Sequence, residues 1–424
     1  MRSPSRRSAA FLVAVAAMVL GGLVAPAPAP AATAQADRRI CYGMGTYVEA
    51  VSASSVTLQP GSAGYPREYE LDGIVQRSAG EPVVFDGLTS GEHRVTVRLF
   101  QGATVSATAD VPVMVGDARV GGVDRFSTAA QIASASRGAD CTPATAYIAS
   151  GTSFPDALSA AAVAGNPRSM LLLSDRDRLS ASAAEQLVAA DVQRVRLIGG
   201  PDRLSDALCE QVRALGITEC TRIAGANRYA TSMAVAEEMG PPDRMRSTWR
   251  HVVVVTGENY PDAVTAGTWA ATQGAPIILV PGSASRLPDD LYDLLAQGVT
   301  EQITIVGGAP SVSAGIEAEL RAMHVRVQRF AGADRYATNA ALNAHIATIS
   351  PGSSPYAVVA TGRNFPDALT GSMLAVASGS SLVLSEPTCM PASVRAVVER
   401  RSVGALVLLG GPQTLSESVR TTTC

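Results

Sequence analysis

An arginine and an aspartate recur at fixed places in this 424-residue chain, three times each. Arg125 lies in Arg119-Val-Gly-Gly122-Val-Asp124-Arg125-Phe126-Ser-Thr128. Arg228 lies in Arg222-Ile-Ala-Gly225-Ala-Asn227-Arg228-Tyr229-Ala-Thr231, and Arg335 in Arg329-Phe-Ala-Gly332-Ala-Asp334-Arg335-Tyr336-Ala-Thr338. The aspartates follow in Phe154-Pro155-Asp156-Ala157, Tyr260-Pro261-Asp262-Ala263 and Phe365-Pro366-Asp367-Ala368, with Asn259 and Asn364 ahead of two of them. A guanidinium fork pairs bidentately with carboxylate or phosphate. A carboxylate orients such a fork or accepts sugar hydroxyls. This is the chemistry of holding an anionic, hydroxylated ligand. The aspartates step by 106 and 105 residues, the length of a small domain rather than of a solenoid repeat. Tandem copies of one module suit multivalent attachment.

Each residue also has a structural reading. Asn caps helices, Pro suits a first helical turn, and Asp faces the positive end of the helix dipole, so the Pro-Asp element reads as a helix start. Ser153 replaces Asn in copy one and keeps a capping group. Asp124 and Asp334 are matched by Asn227, which suits a turn or cap and not a required charge. Two readings stand for Arg125, Arg228 and Arg335: an internal ion pair with the aspartate of the same copy, or presentation to a polymer. Arg119, Arg222 and Arg329 flank strands. Phe126, Tyr229 and Tyr336 read as core, since Phe offers no hydroxyl. Thr128, Thr231 and Thr338 read as caps. Gly199-Gly200, Gly307-Gly308 and Gly410-Gly411 read as tight reversals, with an anion-holding nest of amides as the sharper alternative.

The elements that position these residues change near residue 117. Before it, over 38–115, short β-branched segments separated by Gly, Ser, Asp and Pro predict a small all-β domain with an immunoglobulin-like flavour. After it, runs apolar at nearly every position recur in matching places, from Ala146-Tyr-Ile-Ala to Leu406-Val-Leu-Leu, between Ala-rich helical stretches. That alternation predicts an α/β fold with a parallel sheet flanked by helices in each copy. Aromatic residues are 4% of the chain, so its cores rely on Val, Leu, Ile and Ala.

Arg2, Arg6 and Arg7, the apolar stretch Ala9 to Val24 and Ala32-Thr33-Ala34 read as a signal peptide over 1–34 that is removed on secretion. No second run is long enough to span a bilayer, and no C-terminal anchor is visible. All 34 basic residues are arginine; losing residues 1–34 moves the formal charge from −3 to −6, which argues against a generally basic nucleic-acid binder. Six cysteines in an oxidising compartment suggest disulfides. They allow 15 pairings, among which the sequence does not choose. Cys209 and Cys220 flank a helix-to-strand connection and suit a local staple, Cys389 and Cys424 lie in the last copy, and Cys41 and Cys141 are then left as a link between the N-terminal region and copy one. No Cys or His spacing suggests a metal, no phosphate loop suggests a nucleotide, and no cofactor is expected.

The ordered set R-x-x-G-x-[DN]-R-[YF]-x-T, G-x-[NS]-[FY]-P-D-A and [IL]-[VLI]-G-G resembles the cell wall binding repeat 2 family, in copies over 117–221, 222–328 and 329–424. The resemblance implies three Toprim-like modules in a pseudo-threefold arrangement. It also implies noncovalent attachment at the bacterial cell surface to an anionic wall polymer, teichoic-acid-like or an acidic polysaccharide. Arg125, Arg228, Arg335, Asp156, Asp262, Asp367, Asn259 and Asn364 are the candidate ligand-binding residues, and no catalysis is expected. Two other readings remain: an exported wall hydrolase or its targeting subunit, and an adhesion protein whose β domain binds a partner. The first lacks any HExxH, G-x-S-x-G or Cys-His constellation.

Overall fold

The computed structural model describes residues 46–60, 66–137, 144–163, 168–239, 249–296, 299–349 and 354–424. The signal segment, Cys41 and Cys141 lie outside them. The first seven strands are β1 (Thr46–Val51), β2 (Ser55–Pro60), β3 (Arg67–Leu71), β4 (Ile74–Ser78), β5 (Val83–Asp86), β6 (Gly91–Gln101) and β7 (Thr104–Val115). They pair antiparallel in two sheets, β1-β2-β5 and β4-β3-β6-β7. Strict alternation of buried and half-exposed positions in β2 and β3 puts Val56, Leu58, Tyr69 and Leu71 inside. Asp72 and Gly73, both at positive φ, make the two-residue turn between β3 and β4.

The repeated part begins with β8 (Ala118–Val120). Copy one continues through α1 (Arg125–Ala135), β9 (Thr145–Ser150), α2 (Phe154–Val163), β10 (Ser169–Ser174), α3 (Ala181–Ala189), β11 (Arg194–Ile198), α4 (Ala207–Ala214) and β12 (Glu219–Ile223). Copy two runs through α5 (Arg228–Glu238), β13 (His251–Thr256), α6 (Pro261–Gln273), β14 (Ile277–Val280), α7 (Asp289–Ala296), β15 (Gln302–Val306), α8 (Ala314–Ala322) and β16 (Arg326–Phe330). Copy three holds α9 (Arg335–Ile349), β17 (Ala357–Thr361), α10 (Pro366–Ala377), β18 (Ser381–Ser385), α11 (Ala392–Arg400), β19 (Leu406–Leu409) and a short 3-10 helix, Glu417–Arg420. The apolar runs become strands buried on both faces, as parallel sheets require.

The parallel sheets have the orders β10-β9-β11-β12, β14-β13-β15-β16 and β18-β17-β19-β8. The strand carrying Arg222 is therefore the fourth strand of the first sheet, and the strand carrying Arg329 is the fourth of the second. In the third sheet that fourth place, beside β19, is taken by β8, which carries Arg119. Gly410 N–H donates to Val120 O at 2.9 Å, and Arg420 Nη2 donates to Ala118 O at 2.8 Å. Arg119 reaches Glu417 at 2.6 Å. The Cys389–Cys424 disulfide, with Cα atoms 5.6 Å apart, fixes the tail that carries Glu417 and Arg420. Cys209–Cys220 joins α4 to β12, with Cα atoms 5.5 Å apart.

Helices α2, α6 and α10 pack on one another. Five residues beyond each aspartate stand Ala161, Gly267 and Ser372. A Cβ on Gly267 would lie 3.1 Å from Ala161 Cβ and 3.4 Å from Ser372 Cβ. Small residues at this one position let the backbones approach. The N-terminal strands dock on the same body: Arg94 of β6 donates to Ser134 O at 2.8 Å and to Arg137 O, capping the carbonyl end of α1.

Two outcomes follow from this packing. Gly267→Val inserts carbon where three helices already touch, and should lower unfolding free energy by about 1–3 kcal/mol in denaturant titration. Cys424→Ser should cost roughly 2–4 kcal/mol. Its amide exchange should rise first in β8 and β19, and unchanged protection of those two strands would show that the tail does not hold the closing edge.

Candidate functional site

The Arg-x-x-Gly loops are built from their own hydrogen bonds. Thr128, Thr231 and Thr338 do not cap helices, as their place in the sequence had suggested. Their hydroxyls accept from the Gly122, Gly225 and Gly332 amides at 3.0–3.1 Å and hold the loop against the helix. The caps are Asp124, whose carboxylate accepts from Ser127 N–H at 2.7 Å, and Asn227, which accepts from Ala230 N–H at 3.0 Å; Asp334 accepts from Ala337 N–H at 2.8 Å. Amide and carboxylate serve this task equally.

The next residue, arginine, then turns toward its own copy. Arg125, Arg228 and Arg335 donate through Nη1 to the carbonyls of Gly151, Gly257 and Gly362, at 2.7, 2.5 and 2.6 Å. Phe126, Tyr229 and Tyr336 lie over the same glycines, where a Cβ would meet the ring at 2.5–2.8 Å. These rings are packing elements.

The carboxylates that face the arginines belong to the preceding copy. Asp156 feels Arg228, Asp262 feels Arg335, and Asp367 feels Arg125 across the junction of the last copy with the first. The expectation of a same-copy ion pair is therefore corrected. Among the described residues no ion pair shorter than 4.0 Å joins these groups. The reason is topological: each arginine follows the strand that completes the previous sheet. Each aspartate sits in the first turn of its helix, with Pro at the opening of α6 and α10. Asn259 and Asn364 are exposed and make no cap bond, because the caps of α6 and α10 fall on Tyr260 and Phe365.

The Gly-Gly turns back these carboxylates. Gly199, Gly307 and Gly410 have φ of 113°, 119° and 83°, and a Cβ there would come within 2.3–2.8 Å of the aspartate oxygens. Only glycine meets both demands. The first amide of each pair donates to the neighbouring strand, and its carbonyl accepts from Arg222, Arg329 or Arg119 at 2.6–2.7 Å. The turn is thereby a reversal with its first amide engaged in the sheet.

Residues that the sequence reading did not single out complete the site. Phe154, Tyr260 and Phe365, two positions before each aspartate, meet with ring centroids 5.7, 6.1 and 6.2 Å apart. Arg335 Nη1 donates to Tyr260 Oη at 3.2 Å, and its guanidinium lies 5.7 Å from that ring centroid. Their recurrence in register was the available signal. At the junction of copies three and one lies a cleft of about 790 Å³, lined by Arg119, Asp124, Arg125, Asn364, Asp367 and Thr414 among others. It brings Arg125, Asp367 and Asn364 together from distant parts of the chain. Among the described residues no cluster of His, Cys, Asp or Glu is placed to hold a metal, and no helix is long and apolar enough to cross a membrane.

Burial raises all three carboxyls. For Asp156 it is opposed by the Thr231 hydroxyl, Arg203 and Arg228; for Asp262 by the Ser311 hydroxyl and Arg335. Asp367 is pushed up to about 6 by burial, against Arg125 alone. Its folded value exceeds the ordinary 3.8, so the stabilisation from its proton is complete below about 3.8 and is lost as pH rises through about 6. Asp367→Asn removes that loss. The variant should gain on the parent protein by up to about 3 kcal/mol as unfolding is measured from about pH 4 to 7. A difference constant across that range would show that Asp367 does not titrate there.

The cell wall binding domain 2 (CWB2) family model matches residues 119–209, 222–317 and 329–420. The N-acetylmuramoyl-L-alanine amidase LytC of Bacillus subtilis (strain 168) is 29% identical over 192 residues, 45% of this chain and 36% of that protein. The amidase enhancer of the same organism is 29% identical over 192 residues, 45% of this chain and 24% of that protein. The chain thus spans about a third and a quarter of the lengths of these relatives. Cwp6 from Clostridium difficile has a similar fold, with a TM-score of 0.70 at 17% identity over 88% of this chain and 67% of that one. Cwp8 from Clostridium difficile gives 0.62 at 23% identity over 78% and 58%. Matched three times in tandem across its repeated part, this chain belongs to the cell wall binding domain 2 family.

Proposed function

We propose that this protein attaches noncovalently to the bacterial cell wall by multivalent binding of an anionic wall polymer. The observation that carries the proposal is that each copy's aspartate, half-buried at Asp156 and buried at Asp262 and Asp367, lies within the field of the next copy's arginine without an ion pair between them, and that the same holds between the last copy and the first. Each junction then presents one guanidinium and one carboxylate to a chain of acidic, hydroxylated units. Asn259 and Asn364 add exposed amides at two of the three junctions. Weak sites acting on one polymer raise avidity without new contacts.

In this proposal the modules are Toprim-like units in a pseudo-threefold arrangement, with boundaries at 117–221, 222–328 and 329–424. Segment 38–115 is a small all-β domain, residues 1–34 are a removable export signal, and the mature protein acts at the cell surface without catalysis of its own. The names of the curated relatives motivate a second reading, in which the chain accompanies a wall amidase as a targeting or modifying subunit. Release of labelled wall fragments on adding the chain to an amidase would favour it.

The test is retention of the secreted protein on purified walls, with and without their anionic polymers. Retention should fall when the polymers are stripped and when salt rises. The triple variant Arg125→Ala, Arg228→Ala, Arg335→Ala, checked for folding by circular dichroism, should bind at least about tenfold more weakly. Undiminished binding by the folded variant, or equal retention on stripped walls, would refute the proposal.

A further inference from the structure

His93 of β6 is 9% exposed, and both of its ring nitrogens are in contact. Nδ1 lies 2.8 Å from Asp72 Oδ2, and Nε2 lies 2.8 Å from the Thr89 carbonyl oxygen. Both partners are acceptors. A neutral imidazole has one N–H and one lone pair, so it satisfies one of them and turns a bare nitrogen on the other. Rotating the ring by half a turn puts carbon at both places and forfeits both bonds. The arrangement is complete when each nitrogen carries a proton. Asp72 is the carboxylate on the ring. Glu92 and Arg94, the strand neighbours of His93, project from the other face of β6 and pair with each other at 3.1 Å. Val113, opposite on β7, is apolar. The ring thus joins two loops, the Asp72-Gly73 turn and the segment ahead of β6. That segment continues the tie: Ser90 Oγ donates to Asp117 O at 2.6 Å, and the Asp117 carboxylate accepts from Leu406 N–H at 2.8 Å and lies 3.3 Å from Arg420. The contacts of His93 therefore lie one loop away from the place where the N-terminal strands hand over to β8.

We propose that His93 is a pH-sensitive latch: with two ring protons it ties the turn between β3 and β4 to the loop ahead of β6, and with one it lets the turn go. The Thr89 carbonyl is fixed in the backbone, whereas the Asp72 side chain is half exposed. The ring therefore keeps its Nε2 proton on Thr89, and the carboxylate swings into water. The bare Nδ1 then takes a hydrogen bond from solvent. The turn loses the charge-assisted bond that restrains Asp72 at φ 49°. Ile74 and Val75 follow directly and are exposed, so the released turn carries the apolar end of edge strand β4 with it. The closed latch binds a proton that the open one gives up. The turn is therefore firmest in mildly acid solution and loosens as pH rises. This holds whatever ligand the repeats take.

The measurement uses the full secreted protein, labelled with nitrogen-15 and read at the ring nitrogens of its four histidines. At about pH 5.5 His93 should show two ring N–H protons protected from exchange with water, and at about pH 8 a protonated Nε2 with a bare Nδ1. Amide exchange from Leu71 to Val75, corrected for its intrinsic pH dependence, should be about tenfold faster at the higher pH. Asp72→Asn preserves the turn, since asparagine accepts a positive φ, and its side-chain amide donates to a bare Nδ1. In this variant the corrected exchange of the turn should no longer depend on pH. A single ring proton on His93 at about pH 5.5, or a rise in turn exchange that Asp72→Asn reproduces in full, overturns the latch.

Discussion

Everything at the junctions depends on one constraint of chain path: the strand that opens each Arg-x-x-Gly motif is the fourth strand of the sheet on the other side of the junction from the helix that follows it. Once β12 pairs with β11, the chain leaves Ile223 beside Gly199 and has four residues before Arg228 starts a helix. The arginine has to emerge next to the preceding aspartate. The same holds after β16. After β8 it holds between the two ends of the repeated region, so a three-residue strand closes the series. A parallel edge left open there would expose unpaired amides beside β19. The salt links of Arg119 and Arg420 and the tail disulfide concentrate on this edge, the only one of the three whose two strands come from opposite ends of the repeats.

The junctions also need the central helices to approach closely. Ala161, Gly267 and Ser372 at one level and Phe154, Tyr260 and Phe365 at another make two layers with opposite demands, small below and aromatic above. Edge-to-face rings tolerate Tyr in one copy because its hydroxyl has an outlet toward Gly362 and Arg335. The rings fix where each helix begins, and hence where each carboxylate enters its first turn.

Much of this was legible in the sequence. Strands buried on both faces announce themselves as apolar runs, and Val252–Val255 could hardly be anything else. The caps at Asp124, Asn227 and Asp334 followed from the interchange of acid and amide. Partnership was not legible. The period of about 105 residues says that Arg228 and Asp262 share a copy, but proximity is decided by which sheet a strand joins, and sequence order is silent on that. Asn259 and Asn364 had capping chemistry in almost the right place. Proline one residue inside the helix moved the cap to the aromatic residue between them.

Three copies within one chain serve as their own comparison. At positions 124, 227 and 334 acid and amide interchange, and the structure supplies a task that either performs. At 156, 262 and 367 only aspartate occurs, although burial disfavours its charge in every copy. An apolar residue would avoid that cost, and asparagine would keep the polarity without the charge. Helix-dipole stabilisation of about 0.3–1 kcal/mol is too small to balance a carboxyl pushed up to about 6. Burial thus disfavours the Asp367 charge by more than the helix start returns. The arginine opposite cannot cancel that penalty while its fork is turned to a glycine carbonyl.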